Sequence, residues 1–202
     1  RDDLRDRRHT IGGRIHGKLA AAGLDYDLEG AWQTGDRGGL DVDAFMAGAQ
    51  VGYRLPGCPA APRLFIGLDY GSGDGDPTDG DLETFDQLYP LGHAYLGYAD
   101  HVGRQNILDV SIGAEAEPLE RMKARIAGHL FWLDDNRDAL FNAGGGVLRA
   151  GAAGADDYVG SEIDLTVNYR FNRHLDVLVG YSHFFAGDFL EETGSSADVD
   201  FA

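Results

Sequence analysis

The chain has 202 residues and a net charge of −17, with 34 acidic side chains against 17 Lys and Arg. A surface of this sign repels the phosphate backbone, so the composition excludes a nucleic-acid-binding protein. The single cysteine, Cys58, excludes an internal disulfide and a cysteine-based zinc site. With 30 glycines and 6 prolines, the chain favours many strands and turns in one β domain spanning residues 1–202.

Residues 10–34 contain two arms in which apolar and polar side chains alternate. A period of two is typical of β-strands, so the arms predict a hairpin that turns at residues 20–23. The hairpin pairs each cation of the first arm with an acid of the second: Lys18 with Asp25, His16 with Asp27, and Arg14 with Glu29. One face is then charged and the other apolar. The hairpin alone does not decide whether the apolar face lines a soluble core or faces lipid.

Further alternating segments follow along the chain. They predict strands over residues 42–55, 63–71, 106–115, 122–132, 162–171 and 176–182, and the start of a ninth at 199–202. No helical pattern is present. The predicted connections alternate between short turns near residues 20–23, 56–59, 117–120 and 172–174 and long loops at 35–41, 72–105, 134–157 and 186–198. Membrane barrels alternate in this way, with short periplasmic turns and long cell-surface loops.

The aromatic side chains agree with this interpretation, because most lie on the apolar faces near strand ends, as interface girdles do. These residues are Tyr26, Trp32, Tyr53, Tyr70, Trp132, Tyr169 and Tyr181. Such residues are also common in the strands of a soluble β-sandwich, but the alternation of short and long connections favours the membrane fold. We therefore predict an all-β, antiparallel, up-and-down transmembrane β-barrel.

The number of strands and the start of the chain suggest that the barrel is larger than this sequence. No apolar run is long enough for a transmembrane helix, and residues 1–8 form a charged run without a signal peptide. Eight strands and the start of a ninth do not close an even-stranded barrel. We expect a fragment of about 8 to 9 strands from a larger barrel.

Specific residues in and after the fourth predicted strand resemble the alginate export family of bacterial outer-membrane β-barrels. They are RLFIGLDYGSGD at 63–74, TFDQLYP at 84–90, HAYLGY at 93–98 and, upstream, LDYDLE at 24–29. The resemblance covers nearly the whole chain and corresponds to the C-terminal part of the family domain. It implies a large barrel in a Gram-negative outer membrane that exports an anionic polyuronate. Outer-membrane lipid, lipopolysaccharide and periplasmic secretion proteins would be its partners.

Because side chains alternate between the two faces of each strand, one set of charged residues is predicted to face a lumen. Cations there lower the electrostatic barrier to an anionic polymer, and neighbouring acids prevent the polymer from binding too tightly. The predicted lumen-facing cations are Arg14, Lys18, Arg54, Arg63, Lys123, Arg125 and Arg170, and the acids are Asp25, Asp27, Glu29, Asp69, Asp109, Glu115, Glu162, Asp164 and Asp176. The same charged residues could instead stabilise the barrel wall through ion pairs between neighbouring strands. Glu115–Lys123 and Arg170–Asp176 are the predicted pairs. For a single residue the structural role is the stronger expectation.

An acidic stretch after the fourth strand is a candidate calcium site, since hard cations take clustered carboxylate oxygens. Its residues are Asp74, Asp76, Asp79 and Asp81. Their spacing departs from an EF-hand, and a solvated surface loop is the stronger expectation. We predict no other cofactor and no enzymatic activity, because Ser182 and His183 point to opposite faces of one strand. A general porin, a small-anion channel, and a soluble acidic β-barrel that binds carbohydrate or calcium remain alternatives.

Overall fold

The computed structural model describes residues 5–202, so the first four residues of the charged N-terminal run lie outside it. The elements are β1 (Asp6–Leu19), β2 (Leu24–Arg37), β3 (Leu40–Arg54), β4 (Arg63–Gly71), β5 (Asp81–Leu82), β6 (Ile107–Ala116), β7 (Met122–Trp132), β8 (Leu140–Phe141), β9 (Val147–Arg149), β10 (Tyr158–Asn172), β11 (Leu175–Ala186), α1 (Asp188–Thr193) and β12 (Val199–Phe201). A short 3-10 turn, Ala20–Ala22, joins β1 to β2. Among the described residues no helix is long and apolar enough to span a membrane.

One sheet dominates the fold, in the order β1-β2-β3-β4-β6-β7-β10-β11-β12. Every neighbouring pair in this order is antiparallel, while β5 adds a short parallel pairing to β3. Strands β8 and β9 form a separate two-stranded ribbon. Because neighbours in the sheet are also neighbours along the chain, the predicted antiparallel, up-and-down β architecture is confirmed. The sheet is open, with β1 at one edge and β12 at the other.

The first hairpin has the predicted register. Lys18 lies opposite Asp25, His16 opposite Asp27, and Arg14 opposite Glu29. The register follows from the alternation itself, because a slip by one residue would turn every side chain to the other face.

The predicted long loop at 35–41 is wrong. Strands β2 and β3 continue to Arg37 and Leu40, which pair directly. The tight turn between them uses Gly38 and Gly39, at φ 61° and 90°. A type I′ hairpin turn requires positive φ at both central positions, and glycine adopts it without steric cost. At this end of the sheet the other three connections are long, at 72–106, 133–157 and 187–198. Helix α1 in the last of these also corrects the prediction of a chain without helix.

The two faces of the sheet are oriented as a membrane barrel requires. On the apolar face Ile11, Ile15 and Leu28 keep 69%, 67% and 45% of their surface exposed. On the opposite face Asp164 and His129 are buried, at 1% and 3% exposure. A soluble barrel would show the reverse, with the apolar side chains inside. The charged face is therefore the inner face.

Small residues let large inner side chains lie flat against the wall. A Cβ on Gly52 would stand 2.3 Å from Nε of Arg63, and one on Gly113 would stand 2.4 Å from the ring of Phe65. The guanidinium carbons of Arg63 and Arg125 lie 5.4 and 5.0 Å from the centre of that ring. A cation over an aromatic face is attracted by the negative face of the ring.

The long-loop end has its own apolar core, which joins the loops to the sheet. Five of its members are almost fully buried: Ile107, Phe131, Leu140, Val159 and Phe189. They come from β6, β7, β8, β10 and α1, so the connections 133–157 and 187–198 pack on the strands that they join. Burial of such side chains stabilises the fold by about 1.5–3 kcal/mol each.

Candidate functional site

One connection, residues 72–106, lies across the inner face of the sheet, and we call it the inward loop. At its first contact the buried side chain of Gln33 on β2 makes two hydrogen bonds to the backbone of Asp86. Gln33 Nε2 donates to the Asp86 carbonyl at 2.7 Å, and the Asp86 N–H donates to Gln33 Oε1 at 2.9 Å. The Asp86 carboxylate also pairs with Arg8 on β1. This end of the loop is thus fixed to the first two strands.

The other end of the inward loop reaches the opposite edge of the sheet. The N–H groups of Tyr98 and Ala99 donate to Asp164 at 3.1 Å and to Glu162 at 2.9 Å, both on β10. The ring of His93 lies 5.5 Å from the ring of Phe201 on β12. Backbone N–H groups directed at carboxylates make charge-assisted hydrogen bonds, which are the stronger kind.

These contacts require the sheet to curl around the loop. In a flat sheet β1 and β12 would stand about 38 Å apart, at about 4.8 Å per strand. The segment between Asp86, which contacts β1, and His93, which contacts β12, spans at most about 25 Å when fully extended. The inner face is therefore concave, and the inward loop occupies part of the space that it encloses.

Beneath the loop lies a buried polar cluster built from four adjacent strands. His129 Nδ1 on β7 lies 2.9 Å from Asp109 on β6, and its Nε2 lies 3.7 Å from Asp164. Ser182 on β11 donates to Asp164 at 2.6 Å. Oε2 of Glu162 is buried without a hydrogen-bond partner among the described residues. The sequence predicted these acids on the inner face, and the structure shows that the inward loop separates them from open solvent.

Three arginines of the inner face are held in ion pairs. Arg14 Nε donates to Asp27 at 2.7 Å, and Arg63 Nη2 donates to Asp25 at 2.6 Å. The Cα register placed Glu29 opposite Arg14, but the guanidinium reaches diagonally to Asp27. The third, Arg104, donates to Asp69 at 2.8 Å.

The alternation of side chains along strands could not identify Arg104 as an inner-face residue, because Arg104 lies in the inward loop and not on a strand. No signal in the sequence indicates its inward position. With Arg14, Glu29, Asp69 and Tyr95 it lines a cavity of about 370 Å³ between the loop and the wall.

One of the two predicted cross-strand ion pairs is wrong. Glu115 does not pair with Lys123, because the β6–β7 register places Arg125 opposite it. Its carboxylate lies 3.7 Å from Arg125 and 3.6 Å from Arg63. The predicted pair between Arg170 and Asp176 is present at 3.0 Å, near the turn between β10 and β11.

A second cavity, of about 310 Å³, opens at the short-turn end of the inner face. Three predicted lumen-facing cations line it together: Arg54, Lys123 and Arg125. Two acids, Glu115 and Glu117, and the polar side chains of Thr166 and Asn168 also line it. The structure thus brings these cations together at one end, away from Arg14 in the central cavity. Contact of any of them with a substrate remains a prediction.

Charge is distributed unequally along the strand direction. The three long connections hold 16 acids against 3 cations, Arg104, Arg137 and Arg149. The acids are Asp74, Asp76, Asp79, Asp81, Glu83, Asp86, Asp100, Asp134, Asp135, Asp138, Asp156, Asp157, Asp188, Glu191, Glu192 and Asp198. The turns at the other end hold only Glu117 and Glu120 against Arg121 and Arg173. The loop end is therefore strongly acidic, and the short-turn end is not.

Three of the four carboxylates of the candidate calcium site accept hydrogen bonds within their own loop. Asp74, Asp76 and Asp79 accept hydrogen bonds from the N–H groups of Asp76, Thr78 and Asp81. Such bonds are typical of Asx turns. Burial raises the pKa of Asp74 above its ordinary 3.8, as does the nearby Asp138.

Within residues 5–202 no group of three or more His, Cys, Asp or Glu side chains is arranged to hold a metal ion. The geometry therefore gives the candidate calcium site no support. Calcium binding stays a prediction of the sequence alone.

The comparison with known proteins agrees with the residue patterns of the fourth strand and the inward loop. No curated protein matches this sequence. The family model described as Alginate export matches residues 2–201, essentially the whole chain. This chain belongs to the alginate export family.

Proposed function

We propose that this chain forms part of the wall of an outer-membrane channel in a Gram-negative bacterium, and that the channel exports an anionic, alginate-like polysaccharide. The observation that carries the proposal is the curved sheet with an exposed apolar outer face and an ionised inner face. Family membership supports the substrate class. The channel has no catalytic role in this proposal.

The dimensions of the outer face support a position in a bilayer. On β2 the outward side chains are apolar from Leu24 to Trp32, a stretch of nine residues. A transmembrane strand tilted by about 45° needs about 9–11 residues, and membrane barrels have an apolar band bounded by aromatic residues. Trp32 lies at such a boundary, because its indole Nε1 donates to Asp43 at 2.6 Å. The open edges at β1 and β12 would pair with further strands to close the wall.

The inner face supports the passage of a charged polymer. Cations and acids alternate on it, so a polyanion meets attraction without a deep electrostatic trap. Most central cations already have carboxylate partners, as Arg14 has Asp27 and Arg63 has Asp25. The inward loop narrows the passage, which also suits a channel for small anions, the second candidate.

Membrane location and orientation can be tested with Cys58. This exposed residue is the only cysteine and lies in the turn between β3 and β4, at the short-turn end. If short turns face the periplasm, a bulky impermeant maleimide should label Cys58 only after the outer membrane is permeabilised. Recovery of the protein as a soluble monomer would refute the membrane position.

Transport can be tested with the protein in planar bilayers. We expect ion conductance that uronate oligomers interrupt in discrete blocking events. If small anions carry the conductance and uronate oligomers never block it, the small-anion channel is the better interpretation. Blocking by oligomers of a neutral sugar at the same rate would remove the anionic substrate from the proposal.

A further inference from the structure

The inward loop presents an apolar patch to the space that the charged inner face encloses. The patch consists of Leu88, Tyr89, Leu91 and Tyr95, which are all exposed, and Tyr89 keeps 91% of its surface in solvent. Among the described residues, none of the four belongs to a buried apolar cluster. Grouped apolar side chains that stay in water are typical of binding surfaces. Packing of the fold therefore does not account for the patch.

Hydrogen bonds hold the backbone of the patch in place. At its start, Gln87 Oε1 accepts from the Arg104 N–H at 3.2 Å, and Gln87 Nε2 donates to the carbonyl of Ala143 at 2.5 Å. Within it, the His93 N–H donates to Asp100 Oδ1 at 2.7 Å. A surface that is ordered before binding loses less conformational entropy when a ligand arrives.

The ring of Tyr95 is held beside the wall. The guanidinium carbon of Arg104 lies 4.9 Å from the centre of this ring, and Arg104 in turn donates to Asp69. Tyr95 still keeps 45% of its surface exposed. Within residues 5–202, neither its hydroxyl nor that of Tyr89 has a hydrogen-bond partner. Each tyrosine thus offers a ligand a flat apolar ring and a free hydroxyl.

The patch lines a cavity of about 220 Å³ between the inward loop and the inner face of β1, β2 and β3. The polar side chains that also line this cavity are Thr10, Glu29, Gln87, Asp100 and Arg104. Three residues, Glu29, Tyr95 and Arg104, line both this cavity and the central one of about 370 Å³. The apolar cavity is therefore directly beside the charged one.

A sugar ring has the chemistry that this cavity requires. The C–H groups of a pyranose form an apolar face that stacks on an aromatic ring, and its hydroxyl groups donate to carboxylates such as those of Glu29 and Asp100. Small-molecule sites have this composition, with apolar and aromatic walls and a few polar groups that fix orientation. A lipid chain would leave the two acids without a partner. An isolated anion would meet two acids and one cation, Arg104, and would make no use of the patch.

We infer that this cavity is a sugar-ring subsite, in which Tyr89 and Tyr95 hold one pyranose unit of the exported polysaccharide by its C–H face. The hydroxyl groups of the same unit bind Glu29 and Asp100. Recognition at this subsite depends on the shape of the ring and not on its charge. The inference rests on the proposed function and deepens it, because it names the part of the polymer that the inward loop contacts.

The test is the time for which one uronate oligomer blocks the assembled channel in a planar bilayer. Tyr89→Ala should shorten the block about two- to tenfold, which is the contribution of one aromatic contact. Tyr89→Phe keeps the ring and should preserve the duration. The effect of Tyr89→Ala should persist at about 1 M salt, where the Debye length of about 3 Å screens attraction between charges.

Matched variants and a matched ligand separate ring stacking from other effects. Tyr89→Leu keeps an apolar side chain without a flat ring and should shorten the block as Tyr89→Ala does. Leu119→Ala removes an exposed apolar side chain from the turn between β6 and β7 and should leave the block unchanged. The carboxyl-reduced form of the oligomer keeps the rings without the charge, so its blocks should begin less often but show the same dependence on Tyr89. Folding of each variant is checked by its heat-modifiable gel mobility.

The outcomes distinguish the two proposals. Absence of block by the uronate oligomer refutes the proposed function. Blocks of equal duration in Tyr89→Ala and Tyr89→Phe, or an unchanged duration in Tyr89→Leu, refute the sugar-ring subsite and leave the channel function intact. If Tyr89→Ala loses the folded gel mobility and Tyr89→Phe keeps it, the patch is covered by another part of the wall, which also overturns the subsite.

Discussion

The assignment of the outer face to lipid can be tested at Leu28. This side chain points outward, is 45% exposed, and lies midway between Leu24 and Trp32 on β2. It therefore occupies the centre of the apolar band. We expect Leu28→Arg to destabilise the membrane-inserted protein strongly, because a guanidinium at that depth loses its hydration.

The size of the effect follows from two contributions. An arginine on the lipid face at the bilayer midplane costs about 2–4 kcal/mol. Loss of the leucine adds about 1 kcal/mol, since roughly half of a side chain worth about 2 kcal/mol contacts lipid. The total of about 3–5 kcal/mol lowers the folding equilibrium constant by roughly two to four orders of magnitude.

The measurement is unfolding by urea from lipid vesicles, followed by gel mobility. Two control substitutions lie on the inner face. Asn168→Arg introduces an arginine that faces water instead of lipid, and Glu29→Gln changes the residue next to Leu28. Both should change the free energy of unfolding by less than about 1 kcal/mol. Equal destabilisation by Leu28→Arg and Asn168→Arg would refute the assignment of the faces.

Three further predictions concern the inward loop. Gln33→Leu removes both hydrogen bonds to Asp86 and should expose the loop to protease while the strands stay protected, at a cost of about 1–3 kcal/mol per unsatisfied group. Glu162→Ala should speed hydrogen exchange at the Ala99 N–H, which Glu162→Gln should protect because it keeps the acceptor. The raised pKa of Asp74 means that its contribution to stability is complete below about pH 3.8 and is lost as the pH rises through the folded-state pKa. Asp74→Asn should therefore stabilise the loop at neutral pH and flatten that pH dependence in thermal unfolding; unchanged curves would contradict it.

The strands and their faces could be predicted because their signal is local. Alternation with a period of two places Lys18 opposite Asp25 and turns Ile15 outward, and no information from distant residues is needed. The tight turn at Gly38 and Gly39 was missed because a glycine pair that follows two charged residues, Asp36 and Arg37, has the composition of a loop as well as of a two-residue hairpin turn. Only the pairing of the flanking backbones distinguishes the two.

The position of the inward loop could not be predicted, because its contacts leave no pattern in the sequence. Tyr98 and Ala99 contact β10 through backbone N–H groups, which every residue except proline has. Arg104 lies outside any strand, so the alternation of strand side chains does not predict which face of the sheet it contacts. The Glu115–Lys123 error has a different origin, since both residues are on the predicted face and only the β6–β7 register selects Arg125.

The inward loop also determines the charge that the inner wall presents. Arg104 is its cation at the wall, where it pairs with Asp69 and lies 3.9 Å from Glu29. The backbone N–H groups of Tyr98 and Ala99 in the same loop donate to Asp164 and to one oxygen of Glu162, both buried acids. Without these contacts the centre of the wall would present a row of carboxylates to a passing polyanion. In the proposed channel the loop therefore narrows the passage and also reduces the number of uncompensated carboxylates that the middle of the wall presents to an acidic polymer.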